Sequence, residues 1–212
     1  MTGPTMVLLL ASIALALANG WAVAASRRDV ERLTKPAVIV GLIATAAVVD
    51  PTVDLPVRGL VLGALAASLV GDVLLLPGGS LVGGLAAFTV AQLAYGASFG
   101  LRDPLIPAVA AGLAASAVIG ATVGRRLLGA SPNRLRAAVA AYLVVILGMA
   151  SLATGTLVPA AVVGAWCFVA SDALLGWSLF VDPGAAGRPT RRVAVMATYH
   201  VAQVLLVLSL VA

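Results

Sequence analysis

Apolar residues dominate this chain in long, nearly unbroken runs, and short polar stretches separate the runs. Most runs are about 20 residues long, the length of α-helix that crosses the hydrocarbon core of a bilayer. The polar-apolar alternation of a transmembrane β-strand is absent. The pattern predicts an all-α, polytopic membrane helix bundle of about eight transmembrane helices. The predicted spans are Thr5–Ala25, Pro36–Val49, Val57–Leu76, Ser80–Gly100, Pro104–Val123, Arg136–Thr154, Leu157–Val181 and Arg192–Val211.

The second span is the shortest, and it either begins nearer Leu33 or lies partly in the membrane interface. The first span has no basic residue before it, whereas a cleaved signal peptide normally has one, so we predict a retained helix.

The composition argues against a separate soluble domain. Of the 212 residues, 62% are hydrophobic and only 10% are charged, and the mean hydropathy is +1.12. Soluble domains carry roughly 25% charged residues. We therefore expect a single integral membrane domain over residues 1–212.

The basic residues indicate how the bundle is oriented. All Lys and Arg residues except Arg58 and Arg102 fall at one side, in or beside the loops after the first, fifth and seventh spans. The loop after the third span, residues 77–79, lies on that side and has none. The positive-inside rule places the basic loops in the cytoplasm and both termini outside. The net charge of +5 then reflects topology and anionic lipid headgroups rather than a nucleic-acid partner.

The two halves of the chain share a short pattern. Asp72 lies in the sequence GDVLL of the third span, and Asp172 lies in SDALL of the seventh. The next spans share FTVAQ, ending at Gln92, and YHVAQ, ending at Gln203. These matches predict a 4+4 parallel internal repeat in which the two Asp-bearing helices face each other. Chance similarity between apolar segments is the alternative.

Asp72 and Asp172 are the only acidic residues within the predicted spans. Ionisable residues are costly inside a membrane, so each marks a candidate functional site. At 1.5 Å per residue, Asp72 lies roughly 6 Å and Asp172 roughly 15 Å from the cytoplasmic ends of their helices. We predict that both are catalytic. The alternative is a structural role, in which each carboxylate caps a helix break or bonds a neighbouring hydroxyl.

Other polar residues gather toward the same side of the bundle, where an amphiphile would place its headgroup. Lys35, at the mouth of the second span, is either a topology determinant or a partner for phosphate. Gln92, Tyr95 and Asn19 are either substrate contacts or hydrogen-bonding links between helices. The predicted substrate-binding residues are Asn19, Lys35, Gln92, Tyr95, Tyr142, Tyr199 and Gln203.

Metal and serine-hydrolase chemistry find little support in the sequence. One histidine, His200, and one cysteine, Cys167, do not make a zinc site, so we predict neither metal nor cofactor. The pattern G-x-S-x-G over residues 96–100 lies at the end of an apolar helix, away from the polar residues. We interpret it as a chance match, because a nucleophile elbow joins a strand to a helix.

Two carboxylates in a low-dielectric site tend to titrate apart, because ionising one disfavours ionising the other. One can then act as a general acid while the other serves as a base or a counter-charge. The arrangement suits acid-catalysed cleavage of an acetal-like or enol-ether bond, through an oxocarbenium-like transition state. It equally suits proton-coupled transport. A lipid-binding protein or a non-catalytic scaffold is a further alternative.

Several motifs, in chain order, resemble the YhhN family, whose characterised animal members are lysoplasmalogenases. They are TKP at residues 34–36, SLVGD at 68–72, AF at 87–88, QLAY at 92–95, SD at 171–172, and the stretch from Tyr199 to Gln203. The resemblance covers nearly the whole chain.

The resemblance implies an eight-helix integral membrane hydrolase acting on a lysophospholipid among membrane lipids. The substrate would be a lysoplasmalogen, and the products a fatty aldehyde and glycerophosphocholine or glycerophosphoethanolamine. Either Asp72 or Asp172 would protonate the alkenyl carbon, and Lys35 would meet the phosphate. One departure is notable: family members often have His at the position of Gln92 and sometimes at that of Gln203, and Gln does not transfer protons.

Overall fold

A computed structural model describes residues 3–76 and 78–212 of the chain. Pro77, which we predicted in the loop after the third span, lies outside the described residues, as do Met1 and Thr2. Over the described ranges the chain is helical with short connecting turns. The α-helices are α1 (Gly3–Ala24), α2 (Arg28–Val48), α3 (Leu55–Leu74), α4 (Leu81–Gly100), α5 (Ile106–Ile119), α6 (Arg125–Ala130), α7 (Asn133–Gly155), α8 (Pro159–Gly176) and α9 (Pro189–Leu208).

Seven helical segments among the described residues are long and apolar enough to cross a membrane. They are α1, α3, α4, the continuous segment Ile106–Ala130, α7, the segment Pro159–Val181, and α9. The predicted polytopic helix bundle is thereby confirmed, and the chain is a multi-pass membrane protein. We call the end of the bundle where α2, α4, α7 and α9 begin the basic end, because most of the arginines lie there.

Helix α2 is the eighth long helix, and it begins at Arg28, eight residues before the predicted start at Pro36. Charged residues in its first two turns make it more polar than the other helices. Two tertiary contacts hold these turns: Arg192 of α9 lies 2.5 Å from Glu31, and Asn19 of α1 donates a 2.9 Å hydrogen bond to Thr34. Pro36 is accommodated inside the helix, as neighbouring helices in membranes allow.

Two helices pass through π-helical turns that the hydrophobic pattern does not predict. Helix α5 continues through Gly120–Gly124 (π1) into α6, and α8 continues through Trp177–Val181 (π2). The fifth span therefore extends to Ala130 instead of ending at Val123, so Arg125 and Arg126 lie on a helix rather than in a loop. A π-helical turn changes the direction in which the following side chains point, and such turns are frequent at functional sites.

The two arginines at the opposite end of the bundle each bind carbonyls at the C-terminus of a helix. Arg58 donates to the carbonyls of Ala46 and Ala47 near the end of α2. Arg102 donates at 3.0 Å to the carbonyl of Ser209, directly after α9, and its guanidinium lies 5.5 Å from the centre of the Phe99 ring. Cations are favoured at helix C-termini, where carbonyls lack intrahelical partners. These contacts explain why two arginines lie at the end of the bundle opposite the basic end.

We expect Arg102→Gln to lower the free energy of unfolding by about 2 kcal/mol, because it removes a charge-assisted hydrogen bond at a partly buried helix end. Thermal unfolding in detergent micelles measures the change. Arg134→Gln is the matched control, since Arg134 is exposed. Equal stability of the two variants would contradict the capping role.

Gly59 and Gly63 form a small-xxx-small pair, a motif that permits close helix packing, but a Cβ at either position would face open space. The close approach occurs instead at Gly71, where a Cβ would lie 2.7 Å from the Phe88 ring of α4. Helix α3 packs closely against α4, and α8 against α9. Two related halves of the chain would require helix pairs that pack in this equivalent way. The packing does not test the sequence repeat, so the 4+4 repeat stays a prediction.

Candidate active site

A cavity of about 110 Å³ lies inside the bundle toward its basic end, with walls from α2 to α9. Its polar lining comes from five different helices. The polar and charged residues that line it are Lys35, Asp72, Tyr142, Ser171, Asp172 and Tyr199. The cavity thus contains both predicted catalytic residues, together with three of the seven residues predicted to bind substrate.

Asp72 lies near the end of α3 and is 1% exposed. The ammonium of Lys35 lies 3.1 Å from Asp72 Oδ1, and the Tyr199 hydroxyl donates a 2.8 Å hydrogen bond to Oδ2. Lys35 is itself buried. A buried charge requires a close partner of opposite sign, so this ion pair favours an ionised Asp72. Lys35, which we predicted to meet a phosphate, already has its charge balanced.

A chain of hydrogen bonds continues from Asp72 away from the cavity. Gln203 Nε2 donates to the Tyr199 hydroxyl at 3.2 Å, and the Tyr95 hydroxyl donates to Gln203 Oε1 at 2.6 Å. Tyr95 and Gln203 are fully buried and do not line the cavity. They orient Tyr199, and through it Asp72, rather than contact a ligand in the cavity.

Asp172 has a different environment. It lies on α8, is partly buried, and accepts a hydrogen bond from the Tyr142 hydroxyl of α7. Within the described residues, no Lys or Arg nitrogen lies within 4.0 Å of its carboxylate. The two carboxylates therefore face one cavity with unequal partners: a cation and a hydroxyl for Asp72, and a hydroxyl alone for Asp172.

Edge-to-face aromatic contacts stabilise this arrangement. The centre of the Tyr199 ring lies 5.4 Å from that of Phe168 and 5.9 Å from that of Phe88. Tyr95 packs on Phe168 at 6.5 Å. Such pairs add about 0.5–1.5 kcal/mol beyond burial of their area. Sequence reasoning did not assign Phe168 to the site, because an apolar aromatic residue in a membrane helix carries no distinguishing signal.

The remainder of the cavity wall is apolar. Aliphatic side chains of α4, of the α5–π1–α6 segment and of α7 form large parts of it, and α8, π2 and α9 contribute further apolar side chains. Val82 and Leu179 line the cavity and are also exposed on the outer surface of the bundle. The cavity therefore reaches the lipid-facing surface. Representative lining residues are Leu81, Leu85, Ile119, Val123, Leu127, Leu143, Ile146 and Leu147.

Comparison with known proteins identifies the family. The sequence matches the YhhN family over residues 30–210. The chain belongs to the YhhN family. All six polar residues of the cavity fall within the matched range.

Curated relatives of this YhhN family protein include lysoplasmalogenase TMEM86B from Homo sapiens, 35% identical over 151 residues. The same enzyme from Sus scrofa is 36% identical over 155 residues, and that from Mus musculus is 36% identical over 149. Each alignment covers 69% of this chain and 61% of the relative, so the chain spans less than two thirds of their length. No solved structure matches the chain.

Besides Tyr95 and Gln203, two further predicted substrate-binding residues of the YhhN family protein lie away from the cavity lining. Asn19, which precedes the family match, donates from Nδ2 to Thr34 and accepts a 3.0 Å hydrogen bond at Oδ1 from His200 Nε2. Gln92 is buried beside Tyr142. Its carboxamide completes no hydrogen bond of normal geometry within the described part of the chain. Asn19 links α1 to α2 and α9, and Gln92 packs behind the hydroxyl that contacts Asp172.

Proposed function

We propose that this YhhN family protein is a membrane hydrolase that cleaves the vinyl-ether bond of a lysoplasmalogen. The products are a fatty aldehyde and glycerophosphocholine or glycerophosphoethanolamine. One observation carries the proposal: two carboxylates with unequal partners face an apolar cavity that reaches the lipid surface. The curated relatives, which are named lysoplasmalogenases, support the same reaction.

Charge balance assigns different roles to the two carboxylates. Two carboxylates and one ammonium in a water-poor cavity are neutral when only one carboxylate is ionised. Asp72, with Lys35 at 3.1 Å, is the one whose charge is compensated. Asp172 therefore holds the proton and acts as the general acid, while Asp72 is the counter-charge. Because the Tyr142 hydroxyl donates to Oδ2 of Asp172, Oδ1 is the oxygen that carries the proton in this proposal, and Asp172 lines the cavity.

In the first step, Asp172 transfers its proton to the alkenyl carbon next to the ether-bearing carbon. The double-bond electrons form the new C–H bond, and the ether-bearing carbon becomes an oxocarbenium ion. Proton transfer by a positioned acid contributes about 10²–10⁴-fold to such a rate. The positive charge develops beside Asp72, which offers a preorganised negative charge.

Water then attacks the oxocarbenium carbon and gives a proton to the Asp72 carboxylate, forming a hemiacetal. In the last step, Asp172 accepts the hemiacetal hydroxyl proton and Asp72 returns its proton to the glycerol oxygen as the C–O bond breaks. One water is consumed. Asp172 is again protonated and Asp72 again ionised, and neither a metal nor a cofactor takes part.

The surrounding residues serve the two carboxylates. Tyr142 orients Asp172, and Tyr199 orients Asp72 with support from Gln203 and Tyr95. No proton passes through an amide in this scheme. Gln92, where family members often have His, is therefore compatible with the same reaction.

The proposal also includes the orientation of the protein in the membrane. The cavity lies at the basic end, which the positive-inside rule places in the cytoplasm, with both termini outside. The headgroup of a lysophospholipid in the inner leaflet then reaches the polar end of the cavity, and its chain lies against the aliphatic walls. All residues given a role in this proposal lie in the single integral membrane domain proposed for residues 1–212.

Aldehyde release from purified protein tests this function. A 1-alkenyl lysophospholipid is expected to yield aldehyde, and the 1-alkyl analogue, which lacks the double bond, to yield none. In D₂O the aldehyde is expected to carry one deuterium at its α-carbon, because the enzyme protonates that carbon. A folded, monodisperse sample that releases no aldehyde, or releases it without deuterium, would rule out the proposed reaction.

A further inference from the structure

A second cavity, of about 700 Å³, opens at the basic end next to the candidate active site. It is built where the two π-helical turns meet. Its lining residues are Ala121, Thr122, Val123, Arg125, Arg126 and Trp177. Val123 also lines the first cavity, so the two cavities share one wall.

The π-helical turns place the arginines at this cavity. Turn π1 ends at Gly124, and α6 then presents Arg125 and Arg126 directly. The guanidinium of Arg126 lies 5.7 Å from the centre of the Trp177 ring, at the start of π2. Helix α6 packs against π2, and Leu127 of α6 lies against Gly176, the last residue of α8 before π2. A cation–π contact holds a guanidinium in place and leaves its N–H groups free to donate.

Neither arginine has an acidic partner: within the described residues, no carboxylate lies within 4.0 Å of Arg125 or Arg126. Two exposed guanidinium groups on consecutive residues form a strong local positive charge. The guanidinium group matches the geometry of a phosphate and donates paired hydrogen bonds to it. Lys35, by contrast, is buried and bound to Asp72, and is not available for a phosphate.

We propose that Arg125 and Arg126 bind the phosphate of the lysophospholipid whose ether bond lies at Asp172. This inference rests on the proposed function. The three-carbon glycerol unit passes over Val123, with the phosphate in the second cavity and the alkenyl chain in the first. The arginines contact the headgroup phosphate and leave its choline or ethanolamine in solvent, so the site selects phosphate-bearing lipids rather than one headgroup.

Binding of lipids that the enzyme does not cleave tests the assignment without turnover. The probes are a 1-alkyl lysophosphatidylcholine, the matching 1-alkylglycerol without phosphate, and inorganic phosphate, each titrated against the full chain in nonionic detergent. We expect Arg125→Gln/Arg126→Gln to weaken binding of the phosphate lipid by about 10- to 100-fold. Binding of the alkylglycerol should be unchanged.

The control variant is Arg134→Gln/Arg188→Gln, which removes two exposed positive charges elsewhere at the basic end. It is expected to bind both lipids like the wild type. Equal losses in the two double variants, or equal losses for both lipids, would overturn the proposal. A third outcome would also overturn the proposal: inorganic phosphate competes for the cavity, but Arg125→Gln/Arg126→Gln binds the lipid with unchanged affinity. The cavity would then be a site for a free anion.

The proposed reaction and the proposed phosphate site can be disproved independently of each other. Lipid binding that depends on Arg125 and Arg126, without aldehyde release from the alkenyl lipid, keeps the phosphate site and removes the reaction. Aldehyde release with a KM that is the same in the wild type and in Arg125→Gln/Arg126→Gln keeps the reaction and removes the phosphate site.

Discussion

Asp172→Asn is expected to lower kcat for alkenyl lysophospholipid by about 10²–10⁴-fold, the contribution of a positioned general acid. The amide matches the carboxyl in shape and still accepts the Tyr142 hydrogen bond, but it has no proton to give to the alkenyl carbon. Substrate affinity should change little, because the aliphatic walls of the cavity are untouched. Initial rates of aldehyde release, measured across substrate concentrations, separate kcat from KM.

Asp54→Asn is the matched control. Asp54 is exposed at the opposite end of the bundle, directly before α3, and its side chain makes no capping hydrogen bond. The same chemical change there should leave kcat unaltered. Thermal unfolding of Asp172→Asn should stay close to that of the wild type, because a neutral amide replaces a protonated acid. A fully active Asp172→Asn would exclude Asp172 as the acid.

Lys35→Met is expected to destabilise the protein by about 3–5 kcal/mol, the effect of removing one partner of a buried ion pair. Met matches the aliphatic stem of Lys but leaves Asp72 buried without its cation. Asp72 then takes up a proton, so the variant should also lose activity. Unfolding in detergent micelles by heat or denaturant, read from the tryptophan signal, measures the loss of stability.

The double variant Lys35→Met/Asp72→Asn identifies the cause of this loss. With both charges removed, much of the stability should return, because a neutral buried pair has no uncompensated charge. Activity should remain absent, since the counter-charge for the oxocarbenium ion is missing. Arg32→Met, an exposed change on the same helix, is the control and should be neutral. A double variant no more stable than Lys35→Met would argue against the ion pair.

The membrane helices could be predicted because their formation depends on local composition. A run of about 20 apolar residues enters the bilayer and must form helix to satisfy its backbone hydrogen bonds, whatever lies beside it. Seven of the predicted spans therefore match membrane-spanning helices; six of them have ends shifted by a few residues, and the fifth extends further, to Ala130. Helix α2 and the extension through α6 were predicted poorly. Their polar turns are held by tertiary contacts, such as Glu31 with Arg192, that a hydropathy pattern does not contain.

The candidate site was predictable in part for a similar reason. A carboxylate in an apolar helix is conspicuous in any sequence, so Asp72 and Asp172 could be found. Tyr142 and Tyr199, with hydroxyls at matching depth, could be found as well. The aromatic cluster and the aliphatic cavity walls could not, because their residues look like every other lipid-compatible side chain.

By itself, the sequence determined that this is an all-helical membrane protein with two intramembrane carboxylates near the basic end, because hydropathy and charge act residue by residue. The tertiary structure alone decided which carboxylate pairs with a cation and which residues line the cavity. It also decided that Tyr95 and Gln203 are buried outside the cavity lining. Those properties depend on distances of about 3 Å between helices far apart in the chain, such as Lys35 with Asp72 and Tyr199 with Asp72. Helix packing sets such distances, and periodicity along the chain does not encode them.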